Sequence, residues 1–254
     1  MTSSAGGNPV ALVTGGVKRV GFAIAQALAR SGCDLVITYR ARPDEAQVAA
    51  SSLRDFGVDV RTVELDLANL DAVETLGRSL ARDLPRLDIL IHNASVYAPT
   101  LLAAISPETI LSNYRVNAAA PLLLSKHFAP VLSRSPLSGG GGIVAMCDMH
   151  VLGRPRKDMS AYSMSKAALV EMVRTLAREL APKVRVNGVA PGVVAFPEKG
   201  YESDSEMQRA YLSRVPLQRS GTPADAAEVV RWLALDAHYT TGEIVRVDGG
   251  RWLA

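Results

Sequence analysis

Short apolar runs alternate with longer stretches of helical spacing along most of the chain. The run Val10–Val13 precedes a helical pattern from Phe22 to about Ser31, and Leu35–Tyr39 forms the next run. A continuous apolar run of this length is typical of a strand that is buried on both faces of a parallel sheet. Strands connected by helices in this way predict a parallel sheet with helical crossovers.

The same alternation continues to the carboxyl end of the chain. Further strands are predicted over 58–65, 89–91, 143–147, 184–189 and 243–247, and further helices over 43–56, 69–84, 111–132, 161–180 and 222–235. Asn69 or Asp71 is placed to cap one helix and Thr222 another, and Pro121 is placed to kink the helix that contains it. The predicted fold class is α/β: a single-domain Rossmann-type doubly wound parallel sheet of about seven strands with helices on both faces.

Two segments fall outside this alternation. Residues 1–8 are small and polar and lack the apolar core of a secretion signal, so we expect them to be disordered and 9–254 to form the domain. A second polar stretch, from Val193 to about Pro216, follows a predicted strand. A segment of that length beside a sheet edge is typical of a lid over a pocket.

The composition excludes several classes of protein. Of the 254 residues, 48% are hydrophobic and 21% are charged, and no stretch is apolar over the roughly 18 positions that a membrane span needs. The net charge of +3 comes with arginines spread along the chain, which disfavours a nucleic-acid partner. Cys33, Cys147 and the four histidines show no metal-ligand spacing. The sequence therefore predicts a soluble cytoplasmic protein without a metal or a membrane anchor.

A glycine-rich turn, Thr14–Gly21, lies between the first predicted strand and the first predicted helix. Glycines permit a tight turn and let backbone N–H groups approach a pyrophosphate at the start of a helix. Such a turn alone is weak evidence, but here it has the required strand before it and helix after it. The three elements together predict a dinucleotide-binding unit.

The residues after the second predicted strand favour a phosphorylated dinucleotide. A fold that prefers NAD usually places an acidic side chain there to accept from the ribose 2′-hydroxyl. Tyr39, Arg40 and Arg42 offer no acid, and the arginines suit a 2′-phosphate through charge-assisted hydrogen bonds. The alternative is that both arginines are simply solvated. The predicted cofactor is NADPH.

Residues after the other predicted strands complete the candidate site, because ligands bind at the carboxyl edge of an open parallel sheet. Asp66 and Leu67 end the third strand, and Asn93–Ser95 follow the fourth. Asp148 stands just past the fifth strand, and Pro191–Val193 follow the sixth. We therefore expect these residues to meet at one edge of the sheet.

Tyr162 and Lys166 are the candidate acid and base. They stand four residues apart in a helical pattern, which puts both side chains on one helix face. A phenol with a reference pKa of about 10 is a weak acid at neutral pH, and a nearby ammonium makes its proton easier to give up. The pair can thus serve in general acid–base catalysis, although Tyr-x-x-x-Lys also occurs by chance on surface helices.

Together these motifs resemble the short-chain dehydrogenase/reductase family. The resemblance rests on residues 14–21, 93–94, 117, 162–166, 191–192 and 247–250, which occur in the family's order. It implies that Tyr162 donates the proton, that Lys166 lowers the pKa of Tyr162 and holds the nicotinamide ribose, and that Asn117 continues a proton relay. It also implies that Asn93 lines the adenine ribose, and that a homotetramer forms through the helices at 111–132 and 161–180.

Three departures from the family's pattern resemble pteridine reductases and the related bacterial dihydromonapterin/dihydrofolate reductases. Arg19 replaces the middle glycine of the Thr-Gly-x-x-x-Gly-x-Gly turn, Asp148 replaces a serine after the fifth strand, and Asn93–Thr100 departs from the usual Asn-Ala-Gly. In that group an arginine and a serine hold pterin and cofactor phosphates, and an aromatic ring stacks on the pterin. By position these residues are Arg19, Ser95 and Tyr97.

Asp148 favours a C=N substrate over a ketone. An ionised carboxylate cannot donate to a ketone oxygen as serine does, and its charge raises the pKa of a nearby Tyr162. It can accept from the amino group of a pterin or share in proton delivery. The predicted reaction is hydride transfer from NADPH to a C=N bond of a dihydropterin such as dihydromonapterin, dihydrobiopterin or dihydrofolate. The alternatives are a carbonyl reductase of the 3-oxoacyl or steroid type and an inactive NADPH-binding sensor.

The predicted site residues fall into three sets. Those for the cofactor are Gly15, Lys18, Arg19, Val20, Gly21, Tyr39, Arg40, Arg42, Asp66, Leu67, Asn93, Ala94, Ser95, Tyr162, Lys166, Pro191, Gly192 and Val193. Those for catalysis are Asp148, Tyr162, Lys166 and Asn117, and those for the substrate are Arg19, Ser95, Tyr97, Asp148 and Tyr162. Phe196 stands where many family members have a threonine, which leaves the anchor of the nicotinamide carboxamide open.

Overall fold

Seven strands form one sheet in the computed structural model, which describes residues 7–196 and 203–254. The strands are β1 (Val10–Val13), β2 (Asp34–Tyr39), β3 (Val60–Glu64), β4 (Ile89–His92), β5 (Gly141–Met146), β6 (Val184–Pro191) and β7 (Ile244–Val247). All neighbouring strands are parallel, and their order is β3-β2-β1-β4-β5-β6-β7. The predicted doubly wound α/β fold is confirmed.

In the described part of the chain, eight α-helices accompany the sheet. They are α1 (Arg19–Arg30), α2 (Pro43–Arg54), α3 (Leu70–Asp83), α4 (Pro107–Tyr114), α5 (Ala120–Leu132), α6 (Ser160–Leu180), α7 (Ser205–Leu212) and α8 (Pro223–Leu235). Asn69 caps α3 by accepting from Ala72 N, and Thr222 forms a capping box with Asp225 at the start of α8. Both caps satisfy backbone N–H groups that the helix itself leaves unpaired.

The core lies on both faces of the sheet. Side chains of successive strand residues point to opposite faces, so Leu12 packs with α3, α5 and α6, whereas Val13 packs with α1, α2 and α8. Leu90 and Ile91 of β4 divide in the same way. This two-sided burial is the reason that the strands read as uninterrupted apolar runs.

The helix predicted over 111–132 differs from the expectation. Helical structure begins at Pro107 and is interrupted by a π-helical turn, Arg115–Ala119, between α4 and α5. Pro121 lies in the first turn of α5, directly after this π-helical turn, so the break in the regular helix falls just before the proline. The predicted kink itself stays a prediction. β5 also starts two residues earlier than predicted, at Gly141.

Two predicted irregular segments are partly ordered. Residues 1–6 of the predicted disordered segment lie outside the described residues, but Asn8 Nδ2 donates to Asp34 Oδ1 at 3.0 Å and the carbonyl of Gly7 accepts from Arg86. Within the predicted lid, 197–202 lie outside the described residues. The part that follows contains α7, which Asp204 caps, so this stretch is not wholly irregular as predicted.

Candidate active site

A cavity of about 530 Å³ lies at the carboxyl ends of β1, β2, β3 and β4. Strand order reverses between β1 and β4, which is the position where open α/β sheets bind ligands. The lining residues are Gly15, Val17, Lys18, Arg19, Val20, Gly21, Thr38, Tyr39, Arg40, Ala41, Arg42, Glu45, Leu65, Asp66, Leu67, Asn93, Ala94, Ser95, Val96 and Val116. Most of the predicted cofactor set therefore lies around one cavity.

The shape of this cavity depends on Gly21. A Cβ atom at Gly21 would lie 2.1 Å from the carbonyl oxygen of Gly15 and 2.5 Å from Nδ2 of Asn93, so no larger residue fits. Asn93 Nδ2 donates to the carbonyls of Thr14 and Gly15, which ties the turn after β4 to the turn after β1. Lys18 precedes α1 without a side-chain cap, so the first N–H groups of the helix are available to an anion. These features fit a dinucleotide pyrophosphate.

The adenosine side of the cavity contains positively and negatively charged side chains. Arg40 is exposed, and Arg42 forms an ion pair with Glu45 at 2.5 Å. Hydrogen bonding to Glu45 raises the pKa of Arg42. Glu45 was missed by the sequence reasoning, because it lies in the first turn of α2 rather than directly after β2. The arginines predicted for a 2′-phosphate are thus in place, but one of them has a carboxylate partner.

Pro191, Gly192 and Val193 do not line this cavity, although they belong to the predicted cofactor set. Gly192 lies close to β7, since a Cβ there would stand 3.0 Å from Asp248 Cα. Val193 lines a second cavity of about 430 Å³ beyond the ends of β6 and β7. Their predicted contact with the cofactor stays a prediction.

Tyr162 and Asp148 are joined directly. The Tyr162 hydroxyl donates to Asp148 Oδ2 at 2.8 Å, and Asp148 Oδ1 accepts from the backbone N–H of His150 at 2.7 Å. Asp148 thereby caps the short turn Met149–Leu152 that follows β5. Both carboxylate oxygens therefore accept a hydrogen bond.

The pKa of Tyr162 is raised well above its usual range. Burial is the largest cause, followed by the negative charge of Asp148 and its hydrogen bond to the phenol. The expectation that Asp148 raises this pKa is confirmed. The causes of this shift do not include Lys166, so its expected lowering of the pKa stays a prediction. Tyr162 is therefore held in its protonated form.

Lys166 is buried, and its ammonium donates to the carbonyl oxygen of Met146 at 2.7 Å. Burial lowers the pKa of Lys166. The bond places the ammonium at the end of β5, one turn along α6 from Tyr162. A bond to the nicotinamide ribose stays a prediction.

Asn117 lies in the π-helical turn and is 1% exposed. Its Oδ1 accepts from Ser95 Oγ at 2.9 Å and from Val96 N at 3.0 Å, and its Nδ2 donates to Val96 O at 3.1 Å and to Ser165 Oγ at 2.9 Å. These contacts fix the segment after β4 against α6. They give no contact with Lys166, so the relay role of Asn117 stays a prediction.

Tyr97 contacts Tyr162 across the predicted substrate site. The rings meet edge to face, with centroids 5.0 Å apart and an interplanar angle of 85°. Arg156 Nη1 donates to the Tyr97 hydroxyl at 2.6 Å, and Thr100 N donates to the carbonyl of Asp158 at 2.6 Å. These two hydrogen bonds therefore hold the segment after β4 against the loop before α6. Arg156 was not predicted, because nothing in its spacing relates it to Tyr97.

Arg19 adopts a left-handed backbone conformation, with φ +51°, where the family's pattern has glycine. Its guanidinium donates to the carbonyls of Ala195 and Phe196 at 3.2 and 3.3 Å. Arg19 therefore bridges the glycine-rich turn and the segment after β6. The predicted contacts of Arg19 and Ser95 with a pterin stay predictions.

Two further features bear on the class of protein. Among residues 7–196 and 203–254, no group of three or more His, Cys, Asp or Glu side chains is placed to hold a metal ion. Within the same residues, no helix has the length and apolar character to cross a membrane.

The chain is similar to known oxidoreductases over nearly its whole length. A family model described as enoyl-(acyl carrier protein) reductase matches residues 16–251. Human dehydrogenase/reductase SDR family member 4 is 32% identical over 96% of this chain and 87% of the relative, and a Synechocystis 3-oxoacyl-[acyl-carrier-protein] reductase is 31% identical over 95% of this chain and 96% of the relative.

Solved structures agree with this similarity. A Beutenbergia cavernae protein, provisionally assigned as an NAD(P)-dependent gluconate 5-dehydrogenase and solved with NADP at low occupancy, has a TM-score of 0.90 and 31% identity and covers 98% of both chains. The narrower resemblance to pteridine reductases rests on the residues alone. The chain belongs to the short-chain dehydrogenase/reductase family of oxidoreductases.

Proposed function

We propose that the protein is an NADPH-dependent reductase that transfers a hydride to a C=N bond of a dihydropterin, with Tyr162 as the proton donor. One observation carries this proposal: the Tyr162 hydroxyl donates to the Asp148 carboxylate at 2.8 Å. A ketone-reducing site needs a donor in this place, and an ionised carboxylate has none. A pterin amino group, in contrast, is a donor that needs an acceptor.

NADPH fits the cavity between β1 and β4. Backbone N–H groups at the start of α1 face the pyrophosphate position, and Arg40 and Arg42 lie on the adenosine side. When bound, NADPH supplies the hydride, and the protein supplies orientation and electrostatics. Glu45 opposes a 2′-phosphate through its charge, so Arg42 has to exchange its carboxylate partner for the phosphate.

Proton delivery follows from the Tyr162–Asp148 pair. The raised pKa keeps the phenol protonated, so Tyr162 carries a proton for the substrate nitrogen, but it also makes the phenol a weaker acid. Loss of this proton would leave the Tyr162 phenolate and the Asp148 carboxylate, both anionic, at hydrogen-bond distance, which is unfavourable at low dielectric. After the transfer the pair takes up one proton from water, which the carboxylate and the phenolate share as one coupled group.

A carbonyl reductase of the 3-oxoacyl type is the second candidate, because the Synechocystis relative is named as such an enzyme. In that reaction Asp148 would have to be protonated in order to donate to the ketone oxygen. An NADPH-binding sensor without turnover is the third, and it predicts cofactor binding with no oxidation of NADPH by any substrate.

The proposed assembly is a homotetramer. Large apolar side chains are exposed on the helices expected to form the contacts: Leu111 of α4 (46%), Leu122 of α5 (47%) and Met164 of α6 (63%). Covering this surface would remove apolar area from water. Light scattering coupled to size exclusion measures the mass, and a monomer at assay concentration contradicts the proposal.

The test of function is a panel of dihydropterins, dihydrofolate and ketones, assayed by NADPH oxidation. We expect turnover of dihydropterins with little or none of ketones. In Asp148→Ser, kcat/KM for a dihydropterin should fall at least tenfold, about 1.4 kcal/mol of transition-state stabilisation, while NADPH affinity is retained. Turnover of ketones alone would support the second candidate. Normal dihydropterin turnover in a folded Asp148→Ser variant would show that the carboxylate is incidental.

A further inference from the structure

Three arginines come from segments that pack together beyond the catalytic pair. Arg154 follows the turn Met149–Leu152, Arg214 lies just after α7, and Arg251 begins the last short turn of the chain. A Cβ at Gly153 would stand 2.8 Å from the Trp252 ring, which shows how closely the first and last of these segments approach each other.

The segment with α7 and Arg214 joins the other two through a contact between an arginine and an aromatic ring. The guanidinium carbon of Arg251 lies 5.6 Å from the centroid of the Tyr211 ring in α7. Arg214 follows on the same helix end, where its backbone N–H donates to the Tyr211 carbonyl at 3.1 Å. The turn Met149–Leu152 itself begins directly after Asp148. The arginines are therefore next to the proposed substrate position and not in the cofactor cavity.

Arg251 is incompletely paired. It is 7% exposed, and its Nη1 donates to the main-chain oxygen of Ala254, the last residue of the sequence, at 3.0 Å. Its Nε is buried and has no hydrogen-bond partner among the described residues. A buried charged group is costly unless its donors are satisfied. The orphaned donor thus points to a ligand with acceptor oxygens.

Among the described residues, no side-chain carboxylate is paired with these three charges. Within the described ranges, Arg154, Arg214 and Arg251 form no ion pair within 4.0 Å. Asp248 is near, but its oxygens accept from backbone N–H groups of Gly250 and Trp252. Burial is the largest cause that lowers the pKa of Arg251, and the positive charges of Arg154 and Arg214 lower it further.

We infer that Arg154, Arg214 and Arg251 form a subsite for an anionic tail on the substrate, a carboxylate or a phosphate attached to the pterin. This inference rests on the proposed function. A ring held at Asp148 and Tyr162 would extend its side chain past the Met149–Leu152 turn toward Arg154. Guanidinium groups bind both kinds of anion through paired N–H donors. The enzyme would then prefer a charged pterin to a neutral one.

The test compares three dihydropterins that differ in the tail: dihydrobiopterin, which is neutral, dihydrofolate, which carries carboxylates, and dihydroneopterin monophosphate. kcat/KM is measured for each in the wild type and in Arg154→Gln, Arg214→Gln and Arg251→Gln. Arg82→Gln is the matched control, because Arg82 is an exposed arginine at the far end of α3. We compare kcat/KM for the preferred anionic substrate with kcat/KM for dihydrobiopterin. We expect this ratio to fall at least tenfold in the three variants and to stay constant in the control.

Salt provides a second readout. The KM of the anionic substrate should rise with ionic strength in the wild type, and this dependence should weaken in the variants. Which of the two anionic substrates is preferred identifies a carboxylate or a phosphate tail. If Arg251→Gln does not fold, Arg154→Gln and Arg214→Gln decide, since Arg214 is exposed and Arg154 is only half-buried.

The outcomes separate the two proposals. Pterin turnover with an unchanged substrate ratio in the variants overturns the subsite and leaves the reductase proposal in place. Equal losses for neutral and charged pterins also overturn it, because they indicate a structural role for the arginines. Reduction of ketones without reduction of any pterin overturns the proposed function, and the subsite for a pterin tail with it.

Discussion

Replacing Asn117 by alanine tests whether this side chain anchors the segment that carries Ser95 and Tyr97. Asn117 makes four hydrogen bonds from a position that is 1% exposed, three of them to Ser95 and Val96 and one to Ser165. Alanine removes all four. The backbone N–H of Val96 then loses its partner, while its carbonyl can accept a hydrogen bond from the Ser95 hydroxyl, which lies 3.1 Å away and no longer has Asn117 as an acceptor.

The expected magnitude follows from this count. A typical intramolecular hydrogen bond contributes about 0.5–1.5 kcal/mol, and an orphaned buried group adds about 1–3 kcal/mol of penalty. Because the half-buried Val96 can regain water, we expect a loss of about 2–4 kcal/mol in the free energy of unfolding. For a chain of this size that corresponds to a fall in Tm of roughly 5–15 °C.

Asn113 is the matched control for this experiment. It lies one turn earlier and is also buried, but its only side-chain bond given by the described residues runs to the Thr109 carbonyl of its own helix, and its Oδ1 is unpartnered. Asn113→Ala should change stability by about 1 kcal/mol or less.

Thermal unfolding and kcat/KM are measured for both variants. We expect Asn117→Ala to lower both quantities, because the segment with Ser95 and Tyr97 loses its anchor, and Asn113→Ala to change neither substantially. Equal shifts in the two variants, or an Asn117→Ala protein as stable as the wild type, would refute the anchoring role.

Three further predictions concern the cofactor, the substrate and the proton. Arg42→Asp should weaken NADPH more than NADH in binding titrations, whereas Glu45→Gln should strengthen NADPH by releasing Arg42 and removing a like charge; tighter NADH binding by the wild type would contradict the assignment. Tyr97→Ala should raise the KM for a dihydropterin more than Tyr97→Phe does, with NADPH affinity unchanged, since the ring forms the contact; equal KM values in both variants would assign Tyr97 to packing. Because Asp148 raises the pKa of Tyr162, the alkaline fall of kcat/KM should move to lower pH in Asp148→Asn, and a shift to higher pH would contradict this cause.

The sequence predicted the sheet well because burial on both faces leaves a direct trace in it. β1 and the first three residues of β4 are uninterrupted apolar runs, and Asn69 and Thr222 mark helix starts through their side-chain chemistry. Residues that follow strand ends, such as Asn93 and Asp148, could be placed at one edge because parallel strands share their direction.

The remaining features depend on contacts that no local pattern encodes. Glu45 and Arg156 reach the site through loop and helix geometry, and the charges around Arg251 come from three separate segments. The direction in which the pKa of Tyr162 is shifted depends on the burial of its side chain, which a spacing of four residues does not reveal. The π-helical turn that presents Asn117 likewise reads as an ordinary helical pattern.

The strand order has a consequence for how such enzymes diversify. β1, β2 and β3, with their turns, form one half of the sheet and surround the adenosine side, whereas the residues proposed for catalysis and for anion binding belong to the other half. Within the sheet, the two halves meet along the junction of β1 with β4. Coenzyme choice and substrate choice can therefore evolve in separate steps. Replacing residues 39–45 with those of a relative would change the coenzyme preference and leave the substrate preference unchanged.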